Sequence, residues 1–449
     1  MCHSNCFDIG QSEPRHPPQS QLVDGLTGIV SFVSDIERGR SDPDTFVSVA
    51  ESGDLASFGF PGGSRRIIGS GAGMTYDDAF WASVGETVER YCLQSVPYED
   101  MVVASWRELK EAGHEAVAPE DWALFDPGQN QGRDFFFPPF DRETKVAWVR
   151  LDSLTRRVET YVPACMVYFM VKPVAGAAVV SPGVSTGAAC ARSIAEGIFK
   201  GICEIVERDA FMIMWRNQLA CPRVEIDKQS SIYNLVQDKF IRHGFDYTII
   251  ETTLDLGIPS FCGILRNTRH HPTRIIVGGS CHPDPERAVI KTLLELAQGI
   301  QWMNHLGAKS FKAEPGFTNV HTFDERMLLY AYGNYPEAFR FLLDNPNVVK
   351  LSQIPSVDQG SDSANIRRSV DLLARKQIEL LALDVTSVDV EGTGVSVIRV
   401  VAPQCEAMEG DYRAQFLGGK RWRQVPVDTG YRPKPSTLQE INSFPHPYP

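Results

Sequence analysis

Residues 191–211 read ARSIAEGIFKGICEIVERDAF, and their spacing decides how the rest of the chain is read. Ile198, Ile202, Ile205 and Val206 recur at helical intervals, while Glu196, Lys200, Glu204 and Arg208 form a four-spaced polar stripe opposite them. Side chains three and four apart share one helix face, so Glu204, Glu207 and Arg208 are presented together. The same Glu-x-x-Glu-Arg text recurs at Glu86, Glu89 and Arg90, within TYDDAFWASVGETVERYC. A weaker relative, with Lys291, Glu295 and Gln298, lies within PERAVIKTLLELAQ. Several such faces aimed at one point would make a cage for magnesium and phosphate.

On the residues alone two readings stand. Glu and Arg at helical spacing form a solvated face stabilised by weak ion pairs in most helices. The third helix resists that reading, because Val289, Ile290, Leu293, Leu294, Leu296, Ala297 and Ile300 surround most of its circumference. A helix apolar on most sides is buried, and a buried charged stripe needs partners or a ligand. The first helix sets small residues, Ala79, Ala82 and Ser83, beside its carboxylates, which leaves room for close approach.

The chain has 449 residues and is 43% hydrophobic and 22% charged, as expected of a globular protein of two or three domains at most. A net charge of −12 argues against a protein that coats nucleic acid. With no early basic-then-apolar stretch and no long apolar run, neither a secretion signal nor a membrane span is expected, and the default compartment is the cytoplasm. The ten cysteines show no CxxC pair, and Cys92, Cys165 and Cys203 sit in apolar runs, so buried thiols are expected rather than a disulfide framework. The Cys2–Cys6 pair beside His3 reads as a frayed terminus. His270, His271 and His282 lack the second ligand pair that zinc spacing requires. The aromatic run at 135–140 reads as packing.

Residues 1–21 read as a flexible segment. Strands are expected in GIVSFV (28–33), TFVSVA (45–50), VAWVRLDSL (146–154), RVETYVPACMVYF (157–169), within 246–277, in ELLALDV and in VSVIRVVAP. Residues 95–145 read as irregular. The glycines at 59, 62, 63, 69, 71 and 73 and the GVSTGAACA segment (183–191) read as turns that lead into the first two acidic helices. Free backbone N–H groups at the helix ends that follow Ser70-Gly71-Ala72-Gly73 and Ser185-Thr186-Gly187 would favour anions. Thr75 is the expected N-cap of the first helix. The repeated order of turn and acidic helix hints at an internal duplication.

These stretches resemble the YcaO family. Its first motif is similar to Ser70-Gly71-Ala72-Gly73-Met74-Thr75 followed by Ala79, Ser83, Glu86, Glu89 and Arg90. Its second is similar to Ser185-Thr186-Gly187 followed by Ser193, Glu196, Glu204, Glu207, Arg208, Asp209 and Ala210. DLGIP (255–259), DPERAVIKTLLELAQ (284–298), VSVIRVVAPQCEAMEG (395–410) and FLGGKRW (416–422) extend the likeness over residues 22–425. The chain departs from the family pattern at Ala72, where a lysine is common, and at Lys291, where an arginine is common. Lys291 keeps the charge and loses the bidentate fork.

The resemblance implies an α/β fold of the YcaO type, with mixed sheets, packed helices and an ATP site between acidic helices. It implies ATP and Mg2+ as cofactors, with Glu86, Glu89, Glu204 and Glu207 holding magnesium. Ser83, Arg90, Glu196 and Arg208 would bind nucleotide, and Lys291, Glu295 and Gln298 would complete the phosphate side. The last residues, Pro445-His446-Pro447-Tyr448-Pro449, resemble the PxPxP end of azoline-forming members. Alternating prolines favour a stiff extended strand, here closing a Pro-rich tail over residues 426–449, and the Pro449 carboxylate is the expected base or the group that positions one. The implied activity is an ATP-dependent cyclodehydratase of the kind that makes thiazole/oxazole-modified peptides. Its alternatives are backbone thioamide formation and a non-catalytic peptide-binding scaffold. The implied partners are a ribosomal precursor peptide, a separate leader-binding protein of the ubiquitin-activating type, a flavin dehydrogenase, and a second copy of the chain; neither nucleic acid nor membrane is expected.

Overall fold

Glycine alternates at 69, 71 and 73 because a helix lies almost on the backbone there. A Cβ on Gly69 would sit 2.6 Å from the Thr87 nitrogen, and one on Gly71 would sit 2.4 Å from the Ser83 nitrogen. The stretch is therefore a strand with one face shaved flat, not the turn its composition indicates. In the computed structural model, which describes residues 21–55, 66–129, 135–169, 172–269, 274–306 and 310–448, this strand is β3 (Ile68–Gly73). The segment 1–20 with its Cys2–Cys6 pair, Gly59, Gly62, Gly63, the His270–His271 pair and Pro449 lie outside the described residues.

β1 (Val30–Asp35), β2 (Phe46–Ser52) and β3 form a three-stranded antiparallel sheet, and α1 (Tyr76–Gln94) follows. The stretch expected to be irregular contains β4 (Val102–Ala104) and α2 (Trp106–Glu111), short elements with no full period to read. β5 (Val146–Ser153) and β6 (Glu159–Pro163) pair as expected, but β6 stops at Pro163 and the chain turns at Ala164–Met166. β7 (Ala188–Ala191) leads into α3 (Ile194–Asn217). Next come β8 (Arg223–Glu225), α4 (Tyr233–Lys239), β9 (Phe245–Glu251), β10 (Ser260–Asn267), β11 (Arg274–Cys281) and α5 (Pro285–Leu306). The rest comprises α6 (Phe323–Tyr332), α7 (Arg340–Leu343), β12 (Val348–Lys350), α8 (Asp362–Arg375), β13 (Leu381–Asp384), β14 (Ser396–Val401) and α9 (Arg421–Asp428).

The strands make two further sheets. One runs β4-β5-β13-β14-β7, with β6 also paired to β5; the other runs β11-β10-β9-β8-β12, with β8 and β12 parallel. The three acidic helices join the sheets in a ring. α1 packs on β2 and β3 and also on β7; α3 packs on β14 and β7 and also on β11 and β10; α5 packs on β11 and β10 and also on β3. Each helix thus lies between two sheets, and Glu89 of α1 and Glu295 of α5 both feel charges on α3.

The apolar sides account for the burial. Val84, Val88 and Cys92 of α1 join Trp148 in one core, Ile198, Ile202 and Ile205 of α3 join Ile398 and Val400 in a second, and Val289, Leu293, Leu296 and Ile300 of α5 join Phe261 and Leu265 in a third. Phe135 and Phe137 of the aromatic run pack on Phe125 at 4.8 and 5.2 Å. Cys92, Cys165 and Cys203 are buried free thiols.

Candidate active site

The three acidic helices start and are anchored alike. Thr75 caps α1 by accepting the Asp78 N–H at 3.2 Å, Ser193 caps α3 by accepting the Glu196 N–H at 3.2 Å, and Asp284 accepts the Glu286 N–H at 2.9 Å at the head of α5. Eleven residues after each cap, close to three helical turns, stands a glutamate: Glu86, Glu204 and Glu295. Each returns to the strand that precedes its own helix. Glu86 accepts the N–H of Ser70 in β3, Glu204 that of Gly187 at 3.0 Å beside β7, and Glu295 that of Gly279 in β11 at 3.0 Å. Three positions further along lie Glu89, Glu207 and Gln298. The repeat legible as two copies is a threefold register of strand, capped helix and anchored carboxylate.

The ring brings these side chains together. Arg90 bonds Glu86 at 2.6 Å and the Ile68 carbonyl at 2.7 Å, and Arg208 bonds Glu204 at 2.6 Å and the Thr186 hydroxyl at 3.1 Å. Gln298 donates to the Ser70 hydroxyl at 2.6 Å and so ties the third helix to the first strand. Among the described residues Glu89, Glu207 and Glu295 have no ion-pair partner. Burial, and then the charges of Glu204 and Glu86, push Glu89 up to about 8. Burial, and then the Glu207 charge, push Glu295 up to about 8. Burial also raises Glu207. Glu295 is accessible to water while protein crowds around it, which marks a side chain lining a deep cleft.

Beside this cleft a cavity of about 500 Å³ is lined by Arg192, Glu196, Lys200, Lys291, His282 and Phe199, among others. Burial opposes the charge of Glu196, but Lys200 at 2.7 Å outweighs it and holds the carboxyl below its usual range. His282 accepts the Asp284 N–H at 2.9 Å. The cavity therefore joins cationic groups, an aromatic ring and two carboxylates, Glu196 and Asp362, next to the acidic cleft.

The donor set fits magnesium. Among the described residues no group of three or more His, Cys, Asp or Glu side chains is placed to hold a metal ion by protein ligands alone. Magnesium keeps several waters and takes one or two carboxylates plus substrate phosphates. Glu86, Glu89, Glu204 and Glu207 are carboxylates of the kind that could hold it, with Arg90 and Arg208 beside two of them.

Two expectations change. The first turns of the first two helices carry their own carboxylates, which disfavour an anion there: Asp77 and Asp78 in α1, with Asp78 accepting the Thr75 N–H at 3.3 Å, and Glu196 in α3, which takes the Arg192 N–H at 3.0 Å. Ser83 is fully buried, donates to the Phe80 carbonyl at 2.8 Å and packs against Gly71, so its place is between helix and strand and not on a ligand-facing wall.

Two residues were missed. Arg399 of β14 is 2% exposed, donates to the Met166 carbonyl at 2.9 Å and keeps two nitrogens unpartnered among the described residues. Burial lowers it to about 10 against the pull of Glu204 and Glu89. A lone arginine inside the apolar run SVIRVV was the available signal. Tyr448 donates to Glu207 at 2.8 Å, and with Pro445, His446 and Pro447 it is buried in the protein.

The fold is of the mixed α/β kind, and the cleft sets acidic side chains from three helices beside cationic ones. Residues 70–406, about three quarters of the chain, match the family model described as YcaO cyclodehydratase, ATP- and Mg2+-binding, and the chain belongs to the YcaO family. An uncharacterized protein of Methanothermobacter thermautotrophicus is 25% identical over 350 residues, covering 77% of this chain and 83% of that one. The fold is similar to that of a heterocyclase solved in complex with substrate and cofactor, with a TM-score of 0.77 and 22% identity, over 95% of this chain and 56% of that one. It is also similar to YcaO from Methanopyrus kandleri bound with AMPPCP and Mg2+, with a TM-score of 0.60 and 19% identity, over 86% of this chain and 89% of that one. The chain thus spans little more than half the length of the heterocyclase. No helix among the described residues is long and apolar enough to cross a membrane.

Proposed function

We propose that this chain is an ATP- and magnesium-dependent cyclodehydratase that turns Cys, Ser or Thr residues of a ribosomal precursor peptide into thiazolines or oxazolines. The observation that carries the reading is the trio of Glu89, Glu207 and Glu295, which have no ion pair among the described residues, set with the anchored Glu86 and Glu204 beside a cavity of about 500 Å³ that carries Arg192, Lys200 and Lys291. Such a trio is stable in its charged form only when positive charge arrives.

Magnesium, once bound, would neutralise phosphate charge in the cleft. In this reading Glu86, Glu89, Glu204 and Glu207 hold it. Arg90, Arg208 and Glu196 hold the nucleotide, and Lys291, Glu295 and Gln298 face its phosphates. The substrate thiol or hydroxyl adds to the preceding backbone carbonyl, and the former carbonyl oxygen takes the γ-phosphoryl group of ATP. Phosphate then leaves with that oxygen as the C=N bond forms. The protons of the thiol or hydroxyl and of the amide N–H pass to base, so the peptide loses one water and ATP becomes ADP and phosphate. In this reading Pro445, Pro447 and Pro449 serve the step in which these protons are taken up. The supporting observation is that residues 445–448 are already buried and that Tyr448 already touches Glu207.

The proposal includes a separate leader-binding partner of the ubiquitin-activating type, a flavin dehydrogenase that oxidises the rings, self-association as a dimer, and residence in the cytoplasm. Weighing the peptide after incubation with ATP, magnesium and partner tests the central part. Loss of one water per ring supports it. Exchange of oxygen for sulfur marks a thioamide, and unchanged mass marks a binding scaffold; either result overturns it.

A further inference from the structure

The C-terminal segment is read by side chains, one carbonyl at a time. Tyr412 donates to the carbonyl of Ser443, Trp215 to that of Phe444 at 3.0 Å, Tyr330 to that of Pro445, and Arg326 to that of His446 at 3.5 Å. Prolines bring no N–H of their own, so a buried Pro-x-Pro run needs mainly donors, and the protein supplies them. His446 is held in turn by the Glu409 carbonyl at 2.9 Å. Packing alone would explain the segment as far as this point.

Tyr448 does more than pack. Its ring lies 4.4 Å from that of Phe211, and its hydroxyl reaches Glu207 at 2.8 Å. The hydroxyl occupies the space a side chain at position 279 would need: a Cβ on Gly279 would fall 2.0 Å from it. Gly279 is the residue whose N–H holds Glu295. One tail side chain therefore touches the second acidic unit through a carboxylate and the third through the glycine that anchors its carboxylate. A phenylalanine would fill the same pocket, so the hydroxyl is the part that packing does not require.

We propose that Tyr448 is a positioning residue whose hydroxyl fixes Glu207 in the orientation that takes the metal, so that seating of the C-terminal tail completes the magnesium site. The proposal rests on the reading of Glu207 as a magnesium-holding carboxylate. One oxygen of Glu207 is engaged by Tyr448. Partners that orient a ligating carboxylate commonly change metal affinity by 10–100-fold when removed.

The test is Tyr448→Phe in the full chain, titrated with Mg2+ at a fixed concentration of a non-hydrolysable ATP analogue, with the ligand-free Tm measured alongside. We expect Tm to stay close to the wild-type value while the Mg2+ concentration for half-maximal heat rises about tenfold. The double variant Glu207→Gln with Tyr448→Phe is expected to bind no worse than Glu207→Gln alone. An unmoved Mg2+ midpoint in Tyr448→Phe, or additive losses in the double variant, overturns the proposal while the site reading stands. A wild-type chain that takes up no Mg2+ nucleotide at all overturns the site reading and the proposal with it.

Discussion

Helix α3 serves two acidic clusters, and they are built oppositely. Toward its C-terminal end Arg216 bonds Glu406 at 2.5 Å and Glu409 at 3.1 Å, and Arg326 approaches Glu409 at 3.6 Å, with all four side chains at most 3% exposed. Two arginines meet two glutamates, and the cluster is closed. Nearer the N-terminal end Glu204 is paired with Arg208, while Glu207 on the same helix, Glu89 from α1 and Glu295 from α5 have no ion pair among the described residues. The same residue types make a brace in one place and an incomplete site in the other. Carboxylates matched by buried cations brace the fold, and carboxylates left short of cations in a cleft are the candidates for a ligand site.

The comparison can be broken at either end. The largest effect is expected in the cleft: Glu207→Gln should lower ring formation by roughly a thousandfold, the scale at which removal of one preorganised electrostatic group acts, while ligand-free Tm is kept or raised. A turnover assay with a melting curve checks both, and retained turnover breaks the account. Next is the brace. Arg216→Ala leaves Glu406 and Glu409 buried with one cation between them, so about 3–5 kcal/mol of stability should be lost in denaturant unfolding. A smaller loss would mean the closed cluster is not a brace.

A weaker effect follows from pH. Glu89 and Glu295 titrate near about 8 in the folded chain, above their ordinary value of 4.5. Groups raised on folding contribute stability at low pH that is lost as pH rises through the folded value. The ligand-free protein should therefore lose stability between about pH 5 and 8 from these two groups. Holding a cation requires the protons to leave, so the Tm gain from Mg2+ nucleotide should grow across the same range. Equal gains at about pH 6 and pH 8.5 would contradict it. The smallest effect is expected at the head of α1, where Thr75→Ala removes a capping box and should cost about 1 kcal/mol without changing nucleotide affinity.

How much of this was legible in the sequence follows from what each residue does. Glu-x-x-Glu-Arg at helical spacing names its own face, so α1 and α3 and their carboxylates were readable, and the apolar girdle around Lys291, Glu295 and Gln298 disclosed α5. The glycines at 69, 71 and 73 misled, because a strand flattened for a helix and a flexible turn use the same residue. The third copy hid because Gly299 stands where Arg90 and Arg208 stand in the others; the interval of eleven residues from Thr75, Ser193 and Asp284 to Glu86, Glu204 and Glu295 was there to be counted. Arg399 and Tyr448 act across long sequence separations, and no local pattern carries such a contact.

The most direct measurement is a calorimetric titration of the intact chain with a Mg2+-bound, non-hydrolysable ATP analogue, run beside the Glu89→Gln variant. The account predicts saturable heat for the wild type, and for the variant much weaker binding with an unchanged or higher Tm. Absence of heat in the wild type, or identical binding by both proteins, would contradict it.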